Sequence, residues 1–132
     1  MDLQLTGKVA LITGSSRGLG LASARALASE GCKVCLCART PGPLDEAAQE
    51  VSVLAPSPDA VLAVEADLTT ALGVEKVIDA AVRRFGGLDI LVNNLGLARG
   101  SGIVETSDAE WQEAFDATLY PAIRASRLAV PL

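Results

Sequence analysis

Lys8-Val9-Ala10-Leu11-Ile12-Thr13-Gly14-Ser15-Ser16-Arg17-Gly18-Leu19-Gly20 is an apolar run that ends abruptly in a glycine-rich turn. A short apolar run bounded in this way reads as a buried strand. The next stretch, Gly18 to Glu30, reads as a helix, with Leu19, Ala22, Ala26 and Leu27 as its apolar stripe and Gly31 as its stop. Strand, glycine turn and helix in immediate succession are suited to holding phosphate. Gly14 turns the chain as the strand ends. Gly18 lets backbone approach a pyrophosphate with no side chain between, and Gly20 lets the helix pack close to the sheet. Gly14, Ser15, Ser16, Arg17, Gly18, Leu19 and Gly20 are therefore the candidate binding loop, with a purely structural turn as the alternative.

The same alternation continues along the chain. Lys33 to Ala38 reads as a second strand. Pro41-Gly42-Pro43 breaks the chain, and a helix of about ten residues is expected from Leu44, closed by Pro56-Ser57-Pro58. Ala60 to Glu65 reads as a third strand, and Thr70 to Phe85 as a long helix with Leu72, Val77, Ile78 and Ala81 on its apolar face. Leu88 to Asn93 reads as a fourth strand. Gly96 to Thr106 is a loop, and Ser107-Asp108-Ala109-Glu110 is a capping box for a last helix running towards Leu128. Strand and helix alternate four times, which predicts an α/β fold of the Rossmann type: a doubly wound parallel sheet of four strands, order 3-2-1-4, flanked by helices. Residues 1–132 would form one nucleotide-binding domain, ending at Val130-Pro131-Leu132 before an expected fifth strand. The fourth strand would then have an open edge, and self-association or poor solubility is expected.

Composition narrows the partners. Half of the 132 residues are hydrophobic but only 3% are aromatic, so the core must be built from small aliphatic side chains. Sixteen acids against 11 bases give a net charge of −5. An acidic chain with so few rings has neither a stripe to neutralise phosphates nor platforms for bases, so no nucleic-acid partner is expected. No apolar run reaches the ~18 residues of a membrane span, and Met1 to Gly7 does not resemble a signal peptide, so a cytoplasmic location is expected. There is no histidine, which removes the commonest metal ligand and general base, and no metal site is expected. Cys32 and Cys35 have the spacing of a redox pair. On a strand rising about 3.3 Å per residue they would be about 10 Å apart, beyond the ~7 Å that a disulfide spans. They read, with Cys37, as free thiols in a buried strand.

With these motifs in register, the sequence from Gly7 to Pro131 resembles the short-chain dehydrogenase/reductase family, and within it the bacterial 3-oxoacyl-thioester reductase-like members. The family's glycine motif has the Gly-x3-Gly-x-Gly spacing seen here. Asp67-Leu68 resembles its adenine-contacting pair, Asn93-Asn94-Leu95-Gly96 its Asn-Asn-Ala-Gly after the fourth strand, and Trp111 also fits. The resemblance implies an oxidoreductase transferring hydride between a nicotinamide cofactor and a carbonyl or alcohol. It also implies that Asn94 and Gly96 lie near the cofactor and that the last helix joins a dimer interface. Asp67 could instead cap the helix beginning near Thr70, and Asn93 could tie the fourth strand to a neighbouring loop.

Cofactor choice can be argued from charge. Enzymes that prefer NAD(H) place an acid at the end of the second strand to bond both ribose hydroxyls. Here Ala38 stands at that point, Arg39 comes next, and Arg17 lies in the glycine loop. Two guanidiniums can clamp a 2′-phosphate that an acid would repel, so NADP(H) is expected over NAD(H). Either arginine could instead be an ordinary solvated residue.

Two positions depart from the family pattern. Leu95 replaces a small alanine, which predicts a bulkier wall beside the cofactor. Thr118 falls where the family has an asparagine in its active-site helix, and is either a partial substitute or an ordinary helix residue. The family's catalytic serine, and its tyrosine and lysine four residues apart, lie beyond the fifth strand. Tyr120 is the sole tyrosine, stands before Pro121 and has no lysine after it, so it does not fit the role of general acid. Three expectations remain open: the cofactor-binding part of an oxidoreductase, inactive alone; a non-enzymatic NADP(H)-binding module; or a fragment that does neither.

Overall fold

The computed structural model describes residues 1–97 and 99–132. The elements are β1 (Val9–Ile12), α1 (Gly18–Ser29), β2 (Lys33–Ala38), α2 (Pro41–Leu54), a 3-10 turn (Pro58–Ala60), β3 (Val61–Glu65), α3 (Ala71–Phe85), β4 (Ile90–Val92) and α4 (Asp108–Ala129). All strand pairs are parallel, and the sheet order is β3-β2-β1-β4, as the alternation predicts. Leu11 sits between Cys35 and Leu91 in the register.

The four β1 residues are all buried, because helices cover both sheet faces. On one side Ala10, Ile12, Val34 and Leu36 pack against Ala24 and Ala28 of α1 and Leu44, Ala47 and Val51 of α2. On the other, Leu11, Cys35, Cys37 and Val64 pack against Val74, Val77, Ile78 and Ala81 of α3 and Ala125 of α4. Cys32 belongs to the first side and Cys35 to the second, and all three thiols are free and buried. Burial pushes the Cys35 and Cys37 thiols up, Cys37 to about 12.

Several expected details are corrected. The apolar stripe of α1 is Gly20, Ala24 and Ala28, while Leu19, Ala22 and Ala26 are exposed. The helix lies so close to the sheet that only the smallest side chains fit its inner face. Helix α2 starts at Pro41 rather than Leu44. Prolines are tolerated in a first turn, whose N–H groups have no intrahelical acceptor. Leu72 is exposed, and the inner face of α3 starts with Gly73 and Val74 instead. Strand β4 is shorter than expected. The Asp89 carboxylate takes the Val9 N–H at 2.8 Å before the ladder starts, and after it the Asn94 N–H bonds the Thr13 hydroxyl and the Val92 carbonyl instead of a β1 carbonyl.

Helix α4 carries the expected capping box, with the Ser107 hydroxyl and the Glu110 carboxylate each accepting the other's backbone N–H. It runs through Pro121 and is weakly buried: Trp111, Phe115, Leu119 and Ile123 recur every four residues on an exposed flank. No helix among the described residues is long and apolar enough to cross a membrane.

Candidate functional site

The carboxyl ends of the strands meet around the β1–α1 turn, which is braced from two sides. Thr13 is buried and works as a hub. Its Oγ1 accepts the Asn94 and Leu95 N–H groups at 3.0 Å each and donates to the Val92 carbonyl at 3.3 Å. The Asn94 amide returns the connection, Nδ2 donating to the Thr13 and Gly14 carbonyls at 3.0 Å each. On the β2 side, the Ser15 hydroxyl donates to the Ile12 carbonyl at 2.8 Å and accepts the Cys37 N–H at 3.0 Å, while the Ser15 N–H donates to the Cys37 carbonyl at 3.1 Å. Ser15 is fully buried, so both of its polar groups shape the loop and neither faces outward. The side-chain role of Thr13 is legible only from these contacts.

Gly14 and Gly18 take positive φ values of 63° and 59°, in the left-handed region that glycine enters at little cost. A Cβ on Gly20 would lie 2.5 Å from the Gly14 carbonyl oxygen and 2.6 Å from the Asn94 amide nitrogen, so a side chain there would open the turn. Arg17 is the N-cap of α1 and provides no side-chain cap. The first bond of the helix runs from the Leu21 N–H to the Arg17 carbonyl, leaving the Gly18, Leu19 and Gly20 N–H groups ahead of the ladder. Arg17, Gly18 and Leu19 are exposed and Ser16 is partly so. A close-packed glycine turn with backbone donors left ahead of the helix ladder and an exposed guanidinium fits a dinucleotide pyrophosphate.

Arg39 comes directly after β2 and borders a groove with Glu65, Ala66, Asp67, Leu72, Gly73 and Lys76. Nothing in the sequence pattern marks Leu72, Gly73 or Lys76 for this groove. Asp67 does not cap α3. That position belongs to Thr70, whose hydroxyl accepts the Gly73 N–H at 3.0 Å. The Asp67 Oδ1 accepts instead from the Thr69 hydroxyl at 2.7 Å and the Thr69 N–H at 3.0 Å. These two bonds, aided by the positive charge of Arg39, hold its carboxyl below the usual carboxylate range. The Leu68 side chain lies in the core, and Leu68 is not among the residues that line the groove.

Beyond β4, Asn93 Nδ2 donates to the Ser126 hydroxyl at 3.1 Å, which ties the strand end to α4. The Leu95 side chain packs on the core and on Gly14, so its extra bulk is turned inward rather than forming an outer wall. Gly96 is exposed, and a Cβ there would lie 3.6 Å from the Thr118 methyl carbon. The Thr118 hydroxyl accepts the Leu97 N–H at 3.1 Å, so Thr118 anchors the loop after β4. Tyr120 is half-exposed beneath the Arg124 guanidinium, on the outer part of α4. No cluster of potential metal ligands occurs among the described residues.

Known proteins share this arrangement. Residues 8–132 match the sequence profile of the family described as short chain dehydrogenase. The L-sorbose reductase of Gluconobacter frateurii, solved with NADPH and L-sorbose, is 41% identical with a TM-score of 0.92 over 99% of this chain and 49% of its own. The NADH-dependent reductase A1-R′, solved with NAD, is 29% identical with a TM-score of 0.88 over 99% of this chain and 54% of its own. The 3beta-hydroxysteroid dehydrogenase 1 of Eggerthella lenta is 38% identical over 96% of this chain and 48% of its own. The chain thus spans about half the length of these relatives, and with its profile match, its strand order and its glycine turn it belongs to the short-chain dehydrogenase family of oxidoreductases.

Proposed function

We propose that this chain is the cofactor-binding portion of an oxidoreductase that takes NADP(H) in preference to NAD(H) and acts on a small carbonyl or alcohol. The observation that carries the cofactor choice is the exposed Arg39 directly after Ala38, where an NAD(H) site would present an acid. The relatives include one solved with NADPH and one solved with NAD, and in this reading local charge decides between the two. In this reading the pyrophosphate lies against the backbone of Ser16, Gly18, Leu19 and Gly20, over the turn at Gly14 that Ser15 braces. Arg17 and Arg39 hold the 2′-phosphate. The adenine enters the groove between Arg39 and Asp67, over the Leu68 backbone, and the nicotinamide ribose lies beside Asn94 and Gly96.

When bound, the cofactor supplies or accepts a hydride. The residues of this chain bind and orient it, with Thr118 holding the Leu97 backbone at the reacting end. The sole tyrosine, Tyr120, has Arg124 rather than a lysine four positions on, so in this reading the chain alone binds without turnover. Thr118, committed to a backbone N–H where the family uses asparagine, favours as a second reading an NADP(H)-binding module that does no chemistry. A cytoplasmic, self-associating protein belongs to the proposal. The exposed flank of Trp111, Phe115, Leu119 and Ile123 supports the self-association.

The test is a calorimetric titration of the full chain with NADPH and, in parallel, NADH. Saturable binding that favours NADPH is expected, without oxidation of NADPH when simple ketones are added. Equal or stronger NADH binding would overturn the preference, and no binding to either would overturn the cofactor site.

A further inference from the structure

The turn between β3 and α3 is held from two directions. Inside it, Asp67 is pinned by Thr69, whose hydroxyl and N–H both donate to Oδ1, at 2.7 and 3.0 Å. Oδ2 has no hydrogen-bond partner among the described residues, so one oxygen is fixed and the other is uncommitted, on a residue that lines the groove. From outside, Arg124 of α4 reaches across 55 residues of sequence, its Nη1 donating at 3.2 Å to the Thr69 carbonyl. The Arg124 guanidinium lies over the Tyr120 ring, 5.3 Å from its centroid, which limits the rotamers open to it. The Thr69 peptide therefore has its side chain and N–H committed to Asp67 and its carbonyl committed to α4. The other charged groups at the groove are Arg39, Glu65 and Lys76, and Lys76 is itself spent on the Glu65 carbonyl at 2.7 Å.

We propose that Thr69 and Arg124 are positioning residues: Arg124 fixes the Thr69 carbonyl, and Thr69 fixes the Asp67 carboxylate at the rim of the groove that receives the adenine end of the dinucleotide. The inference rests on the cofactor reading above. It makes α4, whose hydrogen bonds run to the β3–α3 turn and to the chain just after β4, a determinant of cofactor affinity. Pre-organisation of one polar side chain is the quantity at stake, so its loss weakens binding by about threefold to tenfold.

The experiment uses the full chain with Thr69→Val, Thr69→Ser, Arg124→Met and Arg124→Gln. The first measurement needs no ligand: the titration midpoint of the Asp67 carboxyl, followed by NMR. Thr69→Val is expected to raise it towards the ordinary carboxylate value and Thr69→Ser to restore it. Arg124→Met and Arg124→Gln are expected to raise it by a smaller amount. The second is binding of NADPH and of 2′,5′-ADP, which carries the adenine end alone. Thr69→Val and both Arg124 variants should weaken the two ligands by the same factor, and Thr69→Ser should not. A merely structural role for Arg124 would lower thermal stability and leave the Asp67 midpoint unmoved, which would overturn the relay. A shifted midpoint with unchanged affinity for both ligands would overturn the positioning role. Absence of NADPH binding by the unmodified chain would overturn the cofactor reading, while the Asp67 midpoints would still decide the link from Arg124.

Discussion

The side-chain amide of Asn94, just past β4, donates to the carbonyl of Gly14, at the tip of β1, over 3.0 Å, and a Cβ on Gly20 would lie 2.6 Å from that same nitrogen. The glycine turn is thus closed by a residue 80 positions away in sequence, and Gly20 is small because the amide occupies the space above it. Gly20→Ala is expected to destabilise the chain by about 1–3 kcal/mol, the range for overpacking a tight site, and to abolish dinucleotide binding. Urea denaturation and NADPH titration of the same preparation check both. An unchanged midpoint would mean that the turn relaxes around a methyl group.

Asn94→Ala removes two donors from carbonyls at the centre of the site without adding bulk. Leaving such acceptors unpaired costs about 1–3 kcal/mol each where water cannot replace the donor. These two are part-buried, so the lower end of that range is expected in urea denaturation. Affinity for NADPH should fall as the turn loosens.

Gly73→Ala sets two principles against each other. Alanine is favoured over glycine in a helix by about 1 kcal/mol. Yet a Cβ at Gly73 would overlap the Asp67 carbonyl, which also accepts the Thr70 hydroxyl. Backbone cannot yield as a side chain can, so net destabilisation is expected, with an upward shift of the Asp67 titration as the turn distorts. A more stable variant in thermal melting would show that the steric term loses.

Arg39→Ala is expected to reduce the preference for NADPH over NADH by about tenfold or more, the scale of one charge-assisted bond. NADH affinity should change little. Parallel titrations of both cofactors check it, and an equal loss for both would assign Arg39 to the adenine rather than to the phosphate.

The thiols of β2 predict alkaline sensitivity. A raised value in the folded state means that the unfolded chain loses its proton first, so stability is fully present below the ordinary thiol value of 9.0 and declines as pH rises towards about 12. Cys35 is pushed up as well, by burial and then by Cys37, and adds in the same direction. Urea midpoints should fall between about pH 9 and 11 and fall less in Cys35→Ala/Cys37→Ala. A thiol reagent should label either residue only on unfolding.

The strand order and the glycine loop are legible in the sequence because each rests on local chemistry: apolar runs of strand length, a glycine turn after the first, and breakers between. The details that stay hidden depend on how closely elements approach. The stripe on α1 escapes a sequence reading because hydrophobicity favours leucine, whereas the separation of α1 from the sheet selects Gly20, Ala24 and Ala28. Pro41 reads as a breaker because a proline inside a helix and one at its start look alike in sequence. Ser15 reads as ligand-facing because its hydroxyl could serve either side of the loop, and only the position of Cys37 decides. Thr13 as a hub and Arg124 as a brace join residues 81 and 55 positions apart, beyond any local pattern.

The placement of β4 has a kinetic consequence. Strands β1, β2 and β3 pair with neighbours in sequence, each through one intervening helix, whereas β4 must return past all of them to join β1 on its far side, with Asp89 meeting Val9 and Asn94 meeting Thr13 across 80 and 81 residues. Closing so long a loop is the slowest kind of contact for a chain to make. The three strands β3-β2-β1 can therefore assemble first, with the glycine turn braced by Ser15 from β2 but not yet closed by Asn94. If the chain binds a dinucleotide as proposed, recognition is complete only at the final docking event, and ligand present during refolding would capture molecules that have completed it without speeding those that have not.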